Sequence, residues 1–278
     1  MHADGVASAA GSGPLVPAFL SRILIAAVGV PVVLGLVYVG GWWLFALAAV
    51  AGLIALHEFY VMARPLRPLV LAGYGGGAAA LVGAQLGGIE WLLGGFLATF
   101  LLAFFLFLVA TTRAPATVSI SGTVLGASWI GLGLGFVLLL RDFGPHGRLA
   151  AFTVLIAVWA DDTAAYLMGR LIGRHKFSPA LSPAKTWEGF VAGTAAAMFV
   201  AFVALYHQHF LTIGESIALG AVVAVAAALG DLFESALKRD MQVKDSGTIL
   251  AGHGGMLDRL DALLFAVPAA YFTIVVLG

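Results

Sequence analysis

The chain predicts an all-α, polytopic membrane protein with about nine transmembrane helices and a cytoplasmic N-terminus. Three observations lead there. Mean hydropathy is +1.04 over 278 residues, of which 62% are hydrophobic and 10% charged, which excludes an ordinary soluble domain. The apolar runs are continuous, as in FLATFLLAFFLFLVA at 96–110. An outer-membrane β-barrel would instead alternate over segments of about ten residues. Finally, twelve of the fourteen Lys and Arg residues fall on one side of the predicted spans.

Residues 1–18 are small and polar and are expected to be a disordered tail. They lack the basic region of a signal peptide, and the first apolar stretch is long enough to span, so it reads as a retained helix. The spans follow at 19–40, 42–63, 68–87, 90–110, 117–140, 149–171, 188–210, 213–237 and 257–277. Residues 19–145 form an N-terminal set of helices, and 146–278 a C-terminal transmembrane catalytic region. The second span ends at His57 and Glu58, an interfacial pair or a functional one. The third and fifth spans carry clustered glycines, including Gly73, Gly75, Gly76 and Gly77, then Gly131, Gly133 and Gly135. Within a membrane these read as close helix packing rather than a phosphate cradle.

With the N-terminus inside, Arg22, Arg64, Arg67, Arg113, Arg170, Arg174, Lys176, Lys185, Lys238, Arg239, Lys244 and Arg259 are cytoplasmic. Only Arg141 and Arg148 lie outside. This asymmetry sets the orientation. The absence of cysteine removes disulfides and thiolate metal sites, and a net charge of zero gives no bulk attraction to nucleic acid.

The charge gathers where chemistry is expected. The sixth span holds Asp161 and Asp162, the eighth Asp231 and Glu234, and the ninth opens with Asp258 and Asp261. Acids inside spans are costly and belong in a bundle interior or a water-filled cavity. Asp231, Glu234, Ser235 and Lys238 share one helix face by their spacing. Carboxylates from two helices beside lysines suit a hard cation shared with phosphate. The same residues also suit buried ion pairs of Asp231 and Asp258 with Lys238 or Arg259, or a path for protons or ions.

A second polar stretch, GRLIGRHKFSPALSPAKTWEGF at 169–190, is basic. Pro183 disfavours helix at Ser182, so Ser182 is expected in a turn before a helix. Ser182, Lys185 and Thr186 beside a helix N-terminus form a candidate phosphate site, with Glu188 in the first turn where the helix dipole favours an acid. The bland alternative is a basic loop that only fixes topology. Around His253 the glycines provide either a tight turn or a close backbone approach to a ligand.

Taken together these residues resemble the phosphatidate cytidylyltransferases, also called CDP-diacylglycerol synthases. The signature of that family stands here as Ser235, Leu237, Lys238, Arg239, Lys244, Asp245, Gly247, Leu250, His253, Gly254, Gly255, Asp258, Arg259 and Asp261. The earlier stretch is also similar, through Asp162, Ala165, Tyr166, Gly169, Gly173, Ser182, Pro183, Lys185, Thr186, Glu188 and Gly189. One departure is Ala251, where the family usually has Pro or Gly, so a turn of different detail is expected before His253.

The resemblance implies conversion of CTP and phosphatidic acid into CDP-diacylglycerol and pyrophosphate, with Mg2+ and room for a second cation. It implies metal ligands at Asp231 and Asp258, and a catalytic set completed by Lys238, Lys244 and His253. Substrate binding would fall to Ser182, Lys185, Thr186, Ser235, Arg239, Asp245, Arg259, Asp261 and Asp162. The sixth, eighth and ninth spans should wall the site. The setting implied is a bacterial inner membrane, with the site open to the cytoplasm and the lipid bilayer, no nucleic-acid partner, and a homodimer. The rival readings are a CTP-dependent lipid kinase and a secondary transporter using the intramembrane acids. A CDP-alcohol phosphotransferase is disfavoured because the Asp-Gly-x-x-Ala-Arg motif is absent.

Overall fold

The computed structural model of the chain describes residues 15–110, 114–247 and 254–277. Most of the predicted tail, together with Arg113 and His253, lies outside these residues. The chain is an all-α polytopic membrane protein. Its helices are α1 (Leu15–Val39), α2 (Gly41–Met62), α3 (Val70–Val109), α4 (Ala116–Gly126), α5 (Gly133–Arg141), α6 (Gly147–Ile172), α7 (Trp187–Leu205), α8 (Ile213–Asp240) and α9 (Leu257–Leu277). Among the described residues, seven stretches are long and apolar enough to cross a membrane. They are α2, α3, the run Ala116–Arg141, the run Gly144–Ile172, α7, α8 and α9.

Two elements differ from simple rods. α3 runs for 40 residues, about 60 Å if straight, twice the roughly 30 Å hydrocarbon core. It is folded back at Gly88, whose backbone (φ 73°, ψ −154°) is non-helical. A side chain on Gly83 would meet the Trp91 carbonyl, and one on Gly95 the Ala79 carbonyl, so the two halves lie antiparallel in backbone contact. The break falls between the spans expected at 68–87 and 90–110. Between α4 and α5 the backbone widens into a π-helical turn, Ala127–Leu132. This turn places Trp129 edge-on to Phe59 of α2 and Phe233 of α8, at 6.2 and 4.9 Å. The tail was expected to reach residue 18, yet α1 already begins at Leu15.

The two ends of the bundle are chemically distinct. At one end Arg141 donates from Nε to the Val37 carbonyl (2.7 Å) and from an Nη to that of Tyr38 (2.9 Å). These are carbonyls of the last turn of α1, which lack helical partners and attract a cation. Arg148 lies over the Tyr38 ring at 4.9 Å, and the exposed Trp42, Trp43 and Trp91 are at the same end. That is where interfacial aromatics are favoured. The 26-residue α6 carries the chain from there to the opposite end, where Lys185, Lys238 and the start of α9 are found.

The all-α expectation missed one feature. β1 (Lys176–Ser178) and β2 (Ser182–Thr186) pair antiparallel, Lys176 against Thr186 and Ser178 against Ser182. Ser182 therefore opens a strand rather than a turn. Pro183 excludes helix at Ser182, and in this two-stranded ribbon its missing N–H is tolerated at an edge.

Candidate active site

The hairpin and the helices beside it enclose a cavity of about 550 Å3, lined by Asp162, Tyr166 and Arg170 of α6, Ser182 and Lys185 of β2, and Asp231 of α8, among others. Gly189 and Phe190 of α7 complete the wall. The expected walls were the sixth, eighth and ninth spans. α6 and α8 serve, but α7 and the hairpin take the place of α9, because β2 leads directly into α7 and folds it against α6.

Several local devices fix the hairpin. The Thr186 hydroxyl accepts from the Gly189 N–H at 3.2 Å and caps α7, as N-cap residues do. Thr186 is buried and lines the cavity, so its hydroxyl is already committed to the helix start. Glu188 accepts from the His175 backbone N–H and lies 2.6 Å from its Nδ1. Phe177 of β1 stacks on Phe190 at 5.1 Å and meets Trp187 edge-on at 4.5 Å. Lys185 Nζ then reaches across to Asp231 Oδ2 at 2.6 Å, tying the hairpin to α8.

A second charged group joins α8 to α9. Lys238 Nζ contacts Glu234 Oε2 at 3.0 Å and Asp258 Oδ1 at 2.8 Å. Asp258 also accepts from the backbone N–H of Gly255 (2.7 Å) and Ser246 (3.2 Å). Ser235 Oγ donates to Asp231 Oδ1 at 3.5 Å. Asp261 is within electrostatic range of Asp231 and Asp162, and Arg259 within range of Asp162. Asp162, Asp231, Asp258, Asp261, Lys185, Lys238 and Ser235 therefore share one end of the bundle. Arg239, Lys244, Asp245 and Arg259 are exposed, and His253 lies outside the described residues.

Asp231 and Asp258 each hold a lysine: Asp258 forms the largely buried pair with Lys238, whereas Asp231 pairs with the unforeseen Lys185 and stays partly exposed. Among the described residues no three His, Asp or Glu side chains converge into a preformed metal cage. Mg2+ ordinarily needs only one or two carboxylates, with substrate phosphates completing its shell. The donors here are hard carboxylate oxygens, and Glu234 Oε1 is buried with no hydrogen-bond partner among the described residues. This donor set fits a cation shared with a phosphate ligand.

Sequence reasoning gave little weight to Glu58. It is buried, and its Oε2 accepts from the Leu257 N–H at 2.9 Å and from Ser246 Oγ at 3.5 Å. Ser246 went unnoticed because nothing in its spacing distinguishes it. The hairpin left only the signal of an apolar residue, Phe177, alternating between polar ones.

Fold and site together define an integral-membrane protein whose carboxylates and lysines are paired around a cavity at one end of its helices. Comparison with known proteins narrows this class. The chain belongs to the cytidylyltransferase family, whose pattern matches residues 20–277. The phosphatidate cytidylyltransferase of Staphylococcus haemolyticus is 42% identical over 146 residues, 52% of this chain and 55% of that protein. That of Staphylococcus aureus (strain COL) is 40% identical over the same length. The chain thus spans about half the length of the staphylococcal relatives it matches. The phosphatidate cytidylyltransferase of Mycobacterium bovis is 32% identical over 267 residues, 90% of this chain and 86% of that protein.

Proposed function

We propose that this protein is an integral-membrane nucleotidyltransferase that converts CTP and phosphatidic acid into CDP-diacylglycerol and pyrophosphate. The observation that carries the reading is the cavity of about 550 Å3 across which Lys185 of the hairpin meets Asp231 of α8. A carboxylate that suits a cation and an ammonium that suits phosphate face the same space. The family membership and the names of the relatives support the same reaction.

Charge is the main obstacle in that chemistry. A phosphate monoester has its second pKa near ~6 and is mostly dianionic at pH 7. Its oxygen can attack the α-phosphorus of CTP without a strong general base. The new bond forms from the phosphatidate oxygen to the α-phosphorus, the bond to the β-phosphate bridging oxygen breaks, and pyrophosphate leaves with that electron pair. No proton has to be transferred. The residues must therefore bring two anions together, which positioning and fixed cations accomplish.

Asp231 and Asp258 are the residues that would hold Mg2+, and the bound ion would supply neutralisation of phosphate charge. Lys185, now on Asp231, lines the cavity and can exchange partners with a phosphate entering it, while Lys238 holds Asp258 at the same end of the bundle. Asp231 accepts from Ser235, which keeps its carboxylate oriented in the meantime. The Phe177, Trp187 and Phe190 cluster stiffens the hairpin that carries Ser182 and Lys185.

The bias of Lys and Arg toward the site end supports a cytoplasmic orientation, in a bacterial inner membrane. CTP would then enter from water, and phosphatidate would keep its acyl chains in the bilayer.

The test is turnover by purified protein in detergent with phosphatidate, Mg2+ and CTP labelled at either the α or the γ position. Transfer of α-label to lipid with γ-label released as pyrophosphate, both lost in Asp258→Asn, is the expected result. Transfer of γ-label to a lipid alcohol would make the protein a kinase. No CTP turnover by folded protein would overturn the proposal and return the acids to a transport role.

A further inference from the structure

We infer that Glu58 is a positioning residue for this site: from α2, it fixes the backbone that presents Asp258. The inference rests on the proposed reaction only where turnover is the readout. None of the residues lining the cavity precedes Asp161, so the first half of the chain reaches the site by another route. Glu58 provides one. An acid within a span is costly to bury, and Glu58 is only 2% exposed. Its Oε2 accepts from the N–H of Leu257 at 2.9 Å. Leu257 is the first residue of α9 and the direct neighbour of Asp258. Helix N-terminal amides lack partners within their own helix, so α2 supplies from outside the acceptor that α9 needs.

Ser246 closes the arrangement. Its hydroxyl donates to Glu58 Oε2 at 3.5 Å, while its backbone N–H faces both Asp258 oxygens at 3.3 and 3.2 Å. Glu58 and Asp258 thus grip the same residue from two sides, and both anchor the start of α9. The glycines of the motif fit this role. A side chain on Gly247 would run into the Glu58 carboxylate, and one on Gly255 into Glu58 and Ser246 Oγ. They allow close backbone approach, but to a carboxylate of the protein itself. Glu58 Oε1 is buried and has no partner among the described residues. Among the described residues, the bonds of this carboxylate are those to the segment that carries Asp258.

What Glu58 contributes on this account is an acceptor oxygen at a set reach. Glu58→Gln keeps that oxygen, Glu58→Asp keeps the charge but withdraws it by one methylene, and Glu58→Ala removes it. Purified full-length variants in detergent would be compared by amide hydrogen exchange at Ser246, Gly255 and Leu257, by thermal unfolding, and by kcat and KM for CTP per folded protein. The expected result is exchange and kcat near wild type for Gln. Asp and Ala should show faster exchange confined to those amides, and a kcat lowered by about 10- to 100-fold, as small misplacements near reacting groups produce. Asp retaining more activity than Gln would show that charge matters and would overturn the inference. So would a uniform rise in exchange across all helices, which would make Glu58 a packing residue. If Ala fails to fold, the order of Gln and Asp still decides. If the wild type turns over no CTP, the proposed reaction fails and the exchange pattern alone tests the positioning role.

Discussion

Lys238 of α8 and Asp258 of α9, twenty residues apart in sequence, are 2.8 Å apart in space, and each side chain is largely buried (16% and 13% exposed). This pair joins the last two helices where the site opens. Removing one member of a buried pair leaves an uncompensated charge and costs about 3–5 kcal/mol, whereas replacing both costs far less. Lys238→Met should therefore lower the unfolding temperature more than Lys238→Met combined with Asp258→Asn. A thermal double-mutant cycle in detergent checks this. Strictly additive effects would show that the pair is not coupled.

On the proposed mechanism, in which catalysis comes from charge neutralisation, Asp258 should matter more than His253. The attacking phosphate is already ionised, so a proton carrier is optional while a cation-binding carboxylate is not. In well-folded variants, Asp258→Ala should lose more turnover than His253→Ala, by about tenfold or more, since general acid–base assistance is worth 10²–10⁴ only where a proton must move. Equal and complete loss in both would count against the cation-centred mechanism.

The spans were legible because a bilayer demands continuous apolar runs, although some ends moved: α7 stops at Leu205 where 210 was expected. α9 begins and ends at the predicted 257 and 277, and α2 and α8 start within a residue of expectation. The β1–β2 hairpin was not legible, since strands of three and five residues carry too few positions for a period to emerge. The acids of the site could be picked out because charge is rare in such a chain. Their partners could not, because Lys185 and Asp231 belong to different elements and meet only through tertiary packing. Glu58 was discounted for the same reason: its partners are the Leu257 backbone N–H and the Ser246 hydroxyl, in a distant part of the chain, and they leave no mark in the sequence.

Lys185 competes with any cation for Asp231, from which it is 2.6 Å away. It also offers a positive charge to phosphate. Lys185→Ala should therefore act in opposite directions on two ligands. Without nucleotide, Mg2+ should bind more tightly, because Asp231 loses its counter-charge. CTP should bind more weakly, with a raised KM, because a phosphate partner is lost. Both groups are about a third exposed or less, so the Mg2+ effect should be a few-fold, in line with a partly screened pair of about 1 kcal/mol. Calorimetric titration of the metal and steady-state kinetics read the two effects separately. Chelation of Mg2+ should abolish turnover in wild type and variant alike, with recovery on its return.

Gly88 and Gly94 allow the hairpin in α3 to be tested without touching the site. An added methyl would meet nothing within 4 Å at either position, so neither substitution creates a clash. They differ in backbone alone. Gly88 has φ 73° and ψ −154°, a region that is essentially glycine-only and costs other residues about 1–3 kcal/mol. Gly94 lies within the helical run, where alanine is favoured over glycine by about 1 kcal/mol. Gly88→Ala should lower the unfolding temperature in detergent, while Gly94→Ala should leave it unchanged or raise it. Both should retain wild-type turnover per folded protein at a permissive temperature, because neither helix half lines the cavity. Equal stability in the two variants would mean that α3 is not folded back at Gly88, and that this stretch crosses the bilayer in some other way.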